Sequence, residues 1–221
     1  MTGHRLAIVG MGRMGLAVRA LATEAGWTIA AEIRRLTDAG QLAGADVAIE
    51  FTTPDAALGN ILLCAKANCP VVVGTTGWHA HMPRAVEAVA RHNASMFWAA
   101  NFSVGANVLA LLAARARLAL PLALFPGAIF ETHHAAKRDA PSGTALNIAR
   151  GLEPDAPIAS LRVGHVPGTH VVVFDGAFEQ LRLEHVVRDR RVFAEGALIA
   201  ADWLIGRPGV YTMRDMLEAA P

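Results

Sequence analysis

Leu6-Ala7-Ile8-Val9-Gly10-Met11-Gly12-Arg13-Met14-Gly15 is the stretch that decides the fold. Four consecutive apolar residues are what a parallel strand buried on both faces requires. They run directly into G-x-G-x-x-G, and Leu16–Ala25 continues as an Ala/Leu-rich helical segment. In that setting Gly10 permits the tight turn, Gly12 lets a pyrophosphate approach the backbone, and Gly15 lets helix and strand pack closely. The stretch therefore reads as a dinucleotide-binding βα unit, with Gly10, Gly12, Arg13, Met14 and Gly15 as cofactor contacts.

Working outward, the second strand is Trp27–Ile33, ending in Glu32-Ile33-Arg34-Arg35. This is where such folds read the adenosine ribose, with an acid for NAD or a cation for the 2′-phosphate of NADP. Glu32 keeps the first open and the two arginines, Arg34 and Arg35, favour the second, so the cofactor is NADPH or NADH. About a dozen residues then precede the next strand, near the minimum for a parallel crossover and too few for a full helix. Asp46–Phe51, Pro70–Val73 and Met96–Ala100 read as the third, fourth and fifth strands. Helices from Pro54 to about Ala67 and over Met82–His92 lie between them. Strands alternating with helices imply a doubly wound parallel sheet, and ligands gather beyond the carboxyl ends of its strands. Phe51, Thr52, Gly74, Thr75, Thr76, Ala100, Asn101 and Phe102 fall at such ends and are candidates to wall the nicotinamide.

Beyond a long Ala/Leu-rich helix, Val104–Leu120, the pattern changes. Ala128–Glu131, Ser160–Val163, Thr169–Phe174 and Gln180–Val187 are strand-like, with one helix among them, which predicts a mostly antiparallel or mixed sheet and hence a second α+β domain. Phe193–Ile205 and Met213–Ala219 close the chain as helices. The expected division is 1–102 with 194–221 as the dinucleotide-binding domain, and 103–193 as a domain for substrate binding and oligomerisation.

Within the second domain, Glu131–Ala149 reads E-T-H-H-A-A-K-R-D-A-P-S-G-T-A-L-N-I-A. It carries a polar loop from a strand to a helix, placing proton carriers and cations before a helix N-terminus. His133 titrates near neutral pH and suits proton delivery, and Lys137, if desolvated, can share that task. The Ser142-Gly143-Thr144 turn offers N–H groups and hydroxyls, and Gly143 has no side chain to block approach. His133, His134 and Asp139 lack a further ligand at characteristic spacing, so no metal is expected. Asp139 reads as a loop or cap residue, and His165, His170 and His185 as mainly structural, or as electrostatic company for a dianionic ligand.

The bulk properties exclude several classes. Of 221 residues, 53% are hydrophobic and 18% charged, which supplies a substantial core and argues against disorder. Twenty basic residues against nineteen acidic ones give no sign of a nucleic-acid or membrane-surface binder. No apolar run is long enough to span a bilayer and none resembles a signal peptide, so a cytoplasmic location is expected. Cys64 and Cys69, the two cysteines, read as buried free thiols.

Taken together, Gly10–Gly15, Glu50-Phe51-Thr52, Val73–Gly77, Asn101–Gly105, Glu131–Ala145, Gly164–His170 and Phe193–Ala197 identify a resemblance. Over nearly its whole length the chain resembles the 4-hydroxy-tetrahydrodipicolinate reductase (dihydrodipicolinate reductase) family. The longest motif, E-x-H-H-x-x-K-x-D-A-P-S-G-T-A, carries most of the specificity. The resemblance implies a Rossmann-like domain plus a mixed-sheet domain, a homotetramer, and reduction of a cyclic imine dicarboxylate by NADH or NADPH with loss of water. It implies that His133 is the catalytic histidine and Lys137 its partner proton donor. It further implies that His134, Gly143 and Thr144 contact substrate carboxylates, and that Gly74, Thr76, Ala100 and Phe102 contact the nicotinamide. The short connection after the second strand, and the strand-tip acid displaced to Glu32, depart from the family pattern. The nearest alternative is another two-domain NAD(P)-dependent enzyme, an amino-acid dehydrogenase of the aspartate or diaminopimelate type. A non-catalytic nucleotide-sensing protein is disfavoured because His133 and Lys137 are both present.

Overall fold

The run Leu6–Val9 is completely buried and lies within β1 (Arg5–Val9), the strand around which the first sheet is laid. The structure, a computed structural model, describes residues 3–153 and 155–219; residues 1, 2, 154, 220 and 221, which include the outer ends of the expected first domain, lie outside that description. The chain divides into two compact units, Met1–Phe102 with Arg191–Pro221, and Ser103–Arg190. The second crossing falls three residues earlier than the sequence suggests, because the helix Val192–Leu204 starts there.

The first unit comprises β1, α1 (Arg13–Glu24), β2 (Thr28–Ile33), β3 (Val47–Glu50), α2 (Pro54–Lys66), β4 (Val71–Val73), α3 (Met82–His92), β5 (Ser95–Trp98), α6 (Val192–Leu204), β10 (Gly209–Tyr211) and α7 (Met213–Glu218). Its six strands are all parallel, in the order β10-β5-β4-β3-β1-β2. Between β2 and β3 there is only a short 3-10 turn, Ala39–Leu42, as the brief connection predicts. Because side chains alternate along a strand, Ala7, Val9, Ala48, Val71, Val73 and Met96 pack with α2 and α3. The opposite face carries α6, which runs along β3, β4 and β5 and packs on α1.

The order reverses direction between β1 and β3, the position at which open α/β sheets bind ligands. The loops after these two strands meet there. Gly10 adopts φ +96°, and a Cβ on it would stand 2.0 Å from the Phe51 carbonyl oxygen. A Cβ on Gly15 would come within 1.9 Å of the Gly10 carbonyl oxygen, so α1 seats against β1 only through a residue with no side chain.

Strand β10 is not foreseen from sequence: Gly206-Arg207-Pro208-Gly209 reads as a stop signal, and only two residues follow it in the ladder with β5. A run that short carries no period of its own.

The second unit comprises α4 (Val104–Ala119), β6 (Gly127–His133), α5 (Gly143–Ala149), β7 (Ile158–Arg162), β8 (Thr169–Asp175) and β9 (Gln180–Val186). Its sheet order is β7-β6-β8-β9, with β6–β7 parallel and the other pairings antiparallel, so it is mixed as expected. Leu109 and Ala113 of α4 and Ala145 and Ile148 of α5 cover one face, packing on Ile129, Val172 and Phe174. The covered face of β6 is Gly127, Ile129, Glu131 and His133, so two polar residues continue the line of a core strand.

Gly12 provides a contrast with Gly15, since a Cβ there would meet nothing within 4 Å and its φ of −82° suits any residue. Gly15→Ala should lower stability by about 1–3 kcal/mol through overpacking. Gly12→Asp, at a helix N-cap without a side-chain cap, should hold or raise it by about 0.5 kcal/mol. Urea denaturation of the two variants checks both signs.

Candidate active site

In the first unit, the loops that follow β1, β3, β4 and β5 are fixed to one another before any ligand is considered. Gly10 N–H donates to Ile33 O (2.8 Å), Phe51 N–H to Val9 O (2.9 Å) and Gly74 N–H to Glu50 O (2.9 Å). The Thr52 N–H donates to Thr75 Oγ1 at 2.7 Å, and the buried Trp78 indole donates to Thr75 O at 2.8 Å. Phe51 packs edge-on against Phe102, centroids 6.1 Å apart. A Cβ on Gly74 would overlap the Phe51 ring at 2.0 Å, so Gly74 is what lets that aromatic wall stand. The structure thus gathers Gly10, Phe51, Thr52, Gly74, Thr75 and Phe102. Asn101 is half-buried beside Phe102, while Thr76 and Ala100 lie exposed on the same loops.

The N-terminus of α1 fits a pyrophosphate: Gly12 caps it with no side chain, and the space beside Gly12 is open. Arg13 is exposed and Met14 half-buried on the first turn. At the tip of β2, Ile33 is buried whereas Glu32 and Arg34 are exposed. Glu32 is engaged by Arg19 of α1, Nη1 to Oε2 3.5 Å.

Beneath these loops lies Glu50, completely buried, which the sequence marks only as part of a motif. Its Oε1 accepts from the Thr52 hydroxyl and from Asn60 Nδ2 (3.1 Å), and its Oε2 has no partner. Burial pushes its carboxyl above the usual range, partly offset by hydrogen bonds from Thr52, Thr75 and Asn60.

In the second unit, register builds the site. Ser160 of β7, Glu131 of β6, His170 of β8 and His185 of β9 stand opposite one another, a polar row across all four strands. One step along, His133 pairs in register with Arg162. Glu131 Oε1 accepts from Ser142 N (3.0 Å), Ser160 Oγ (2.7 Å) and Arg162 Nη2 (2.7 Å). Its Oε2 faces His133 Nδ1 at 3.5 Å and His170 Nε2 at 3.6 Å. The two rings meet edge-on at 5.1 Å.

Ser142 is the N-cap of α5. Its Oγ accepts from Ala145 N at 3.1 Å and lies 3.3 Å from His170 Nε2. With its N–H on Glu131 and its hydroxyl capping the helix, Ser142 is committed to the framework, leaving Gly143 as the open part of the turn. A Cβ on Gly143 would meet nothing within 4 Å. Lys137 is held by the exposed Asp139, Nζ to the two carboxylate oxygens 2.7 and 2.9 Å. Asp139 is thus the lysine's counter-ion and not a cap, and that pairing draws its carboxyl below the usual range. His134 is half-buried one residue beyond β6, and His165 is exposed.

His170, read from sequence as structural or as electrostatic company for a dianion, sits 3% exposed at the centre of this cluster. Nothing in its spacing from His133 could have shown this; the antiparallel register of β6 and β8 does. Glu131, His133 and His170 offer atoms within 4.8 Å of one another, a cluster invisible to motif spacing. Arg162 pairs with the same carboxylate at 2.7 Å.

Burial drives up the Glu131 carboxyl, but hydrogen bonds from Ser142, Arg162 and Ser160 prevail and hold it at about 2. Burial lowers His170 to about 4, with His133 adding repulsion and Glu131 opposing. Burial also lowers His133, against the pull of Glu131. The unfolded chain therefore binds a proton at His170 that the folded chain refuses. Stability should fall as pH drops from 6.5 toward about 4, by up to about 3 kcal/mol on His170's account. His133 adds to the loss with the same sign. Denaturant midpoints measured across that range should fall less steeply in His170→Gln.

Residues 4–102 match the family described as dihydrodipicolinate reductase, N-terminus, and residues 105–217 the one described as dihydrodipicolinate reductase, C-terminus. A 4-hydroxy-tetrahydrodipicolinate reductase of Stenotrophomonas maltophilia (strain R551-3) is 41% identical, over 98% of this chain and 99% of its own. Another, from Christiangramia forsetii, is 33% identical, with 96% and 97% covered. Dipicolinate-bound dihydrodipicolinate reductase from Paenisporosarcina sp. TG-14 shares the fold, with a TM-score of 0.81 at 22% identity over 96% of this chain and 99% of that one. Both halves and nearly the full length thus agree, and the chain belongs to the dihydrodipicolinate reductase family.

Proposed function

We infer that this chain carries out its family's reaction, the NAD(P)H-dependent reduction of 4-hydroxy-tetrahydrodipicolinate to tetrahydrodipicolinate with loss of water. The step belongs to lysine and diaminopimelate biosynthesis. The observation that carries the reading is His133, 7% exposed at the end of β6, with Glu131 at its Nδ1 and the Lys137 loop following it in the chain.

A nicotinamide cofactor, when bound, supplies the hydride. Hydride addition to a conjugated imine leaves an electron pair that must take up one proton, and a group titrating near neutrality is suited to give it. His133 serves as that donor, and Lys137, steadied by Asp139, is its partner. The two substrate carboxylates need donors in a site poor in water; His134 and the N–H groups of Gly143 and Thr144 fill this role, with Ser142 fixing the turn. Gly12, with Gly10, Arg13, Met14 and Gly15, receives the pyrophosphate. Phe51, Thr52, Gly74, Thr75, Thr76, Ala100, Asn101 and Phe102 wall the nicotinamide.

At the ribose end, the Arg19 contact draws on the charge of Glu32, while Arg34 is exposed beside it. This supports use of NADPH as well as NADH. The face of the second sheet turned away from α4 and α5 exposes Phe130, Leu161 and Val186, half or more of each side chain's full exposure. Such an apolar patch supports burial against further copies, and a homotetramer is the assembly we infer. Among the described residues no helix is long and apolar enough to cross a membrane; a cytoplasmic site of action is part of the same reading.

Oxidation of NADH and NADPH, side by side with freshly generated pathway substrate, tests the reaction; no oxidation of either would sink it. His133→Gln should lower kcat by about 100-fold or more, the range of a lost general acid, without changing NADPH affinity. Lys137→Ala should harm both kcat and KM. Arg34→Ala should raise the KM for NADPH more than that for NADH, and equal effects would remove Arg34 from the 2′-phosphate. Gly12→Asp, whose fold is expected to be intact, should weaken binding of both nucleotides in a direct titration.

A further inference from the structure

We propose that Glu131 is a positioning residue for the proton transfer: it holds the Nδ1–H of His133, so that Nε2 is the nitrogen that exchanges the proton. This rests on the reading of His133 as proton donor.

The geometry is specific. His133 Nδ1 is fully buried and has no hydrogen-bond partner, and the atom it faces, Glu131 Oε2 at 3.5 Å, is likewise buried and unpartnered. Two orphaned polar atoms aimed at each other are each other's natural partner, since either one left alone in the interior is costly. At 3.5 Å the pair is longer than a settled hydrogen bond, a common length for catalytic pairs before substrate binds. The rest of Glu131 cannot drift: Ser142 N, Ser160 Oγ and Arg162 Nη2 fix Oε1. The other ring nitrogen, Nε2, lies on the side of Gly168, where a Cβ would approach to 3.2 Å. A side chain there would crowd the nitrogen that must meet the substrate.

The step balances simply. Imidazolium His133 gives the Nε2 proton to the substrate carbon and becomes neutral, keeping Nδ1–H on the carboxylate. Solvent returns a proton to Nε2, and the hydride comes from the cofactor. Glu131 stays ionised throughout, because three donors on Oε1 make its protonation unfavourable. The charges facing His133 are Glu131 from its own strand, Lys137 and Asp139 from the loop, and Arg162 from β7. His170 faces it from β8, with His185 of β9 behind. Of these, Glu131 is the largest influence favouring the charged ring.

Glu131→Gln tests this, because glutamine can keep an oxygen for Ser142, Ser160 and Arg162 while turning an N–H toward His133. That N–H demands a lone pair on Nδ1 and so selects the other tautomer, the fault that disables a histidine whose carboxylate is replaced by an amide. In 15N spectra of histidine-labelled free protein, neutral His133 should carry its proton on Nδ1 in the native chain and on Nε2 in Glu131→Gln. kcat should drop by about 100-fold or more, the fall of kcat at high pH should move to lower pH, and NADPH affinity should hold. Glu131→Asp should keep the native tautomer and pH profile at reduced rate. A native tautomer and pH profile in folded Glu131→Gln would overturn the proposal. If that variant does not fold, an Nε2–H tautomer in the native chain overturns it alone, and an Nδ1–H tautomer supports it. The spectra need no substrate, so failure to reduce the cyclic imine would sink the functional reading and leave the tautomer result standing.

Discussion

The second unit is organised around an anion that has been taken out of water. A lone carboxylate in a protein interior is strongly unfavourable, and what makes it tolerable is a full set of donors in good geometry. Glu131 obtains one donor from the N-cap of α5, one from β7 and a guanidinium also from β7. These contacts join three elements, β6, β7 and α5. A one-residue slip of β7 would turn its side chains to the other face and remove both Ser160 and Arg162 from the carboxylate. The residue that ties these elements together also faces the His133 imidazole, so on the proposed reading framework and chemistry share one group.

The first unit contains the same side chain treated in the opposite way. Glu50, at the end of β3, meets only neutral donors, and burial prevails, shifting its carboxyl upward. Glu131 meets a guanidinium and shifts downward. Two carboxylates are thus separated in acidity by their neighbours, as acid–base sites are generally arranged. Both shifts follow from the partners alone: neutral donors leave the cost of burial dominant at Glu50, whereas a guanidinium outweighs it at Glu131.

The sequence told much about elements and less about their meeting. Leu6–Gly15 announced a βα unit because four buried apolar residues and three glycines each have one physical reading in that order. The short connection after β2 correctly excluded a full helix. Glu131, His133 and Lys137 lie close enough in the chain to be seen as one motif. His170 does not: it reaches His133 only through the pairing of β6 with β8, and register between distant strands is not encoded in local spacing. Asn60 reaches Glu50 from a helix ten residues on, and β10 is too short to show a period. Ser142 reads from sequence as part of a substrate turn offering N–H groups and hydroxyls; in the structure its hydroxyl accepts the Ala145 N–H as a helix cap and its own N–H donates to Glu131.

The first unit is assembled from two separated pieces of chain, and this bears on how it is made. A ribosome releases the first 102 residues long before Val192–Tyr211 exist. During that interval β5 presents an unpaired edge where β10 will lie, and the face of β3, β4 and β5 lacks its covering helix. Exposed sheet edges and apolar faces are where nascent chains associate wrongly. The inserted unit, by contrast, is contiguous and can close its own core as soon as it emerges. Synthesis therefore favours completing the second-born unit first, with the dinucleotide-binding sheet waiting, in need of protection, for the last thirty or so residues.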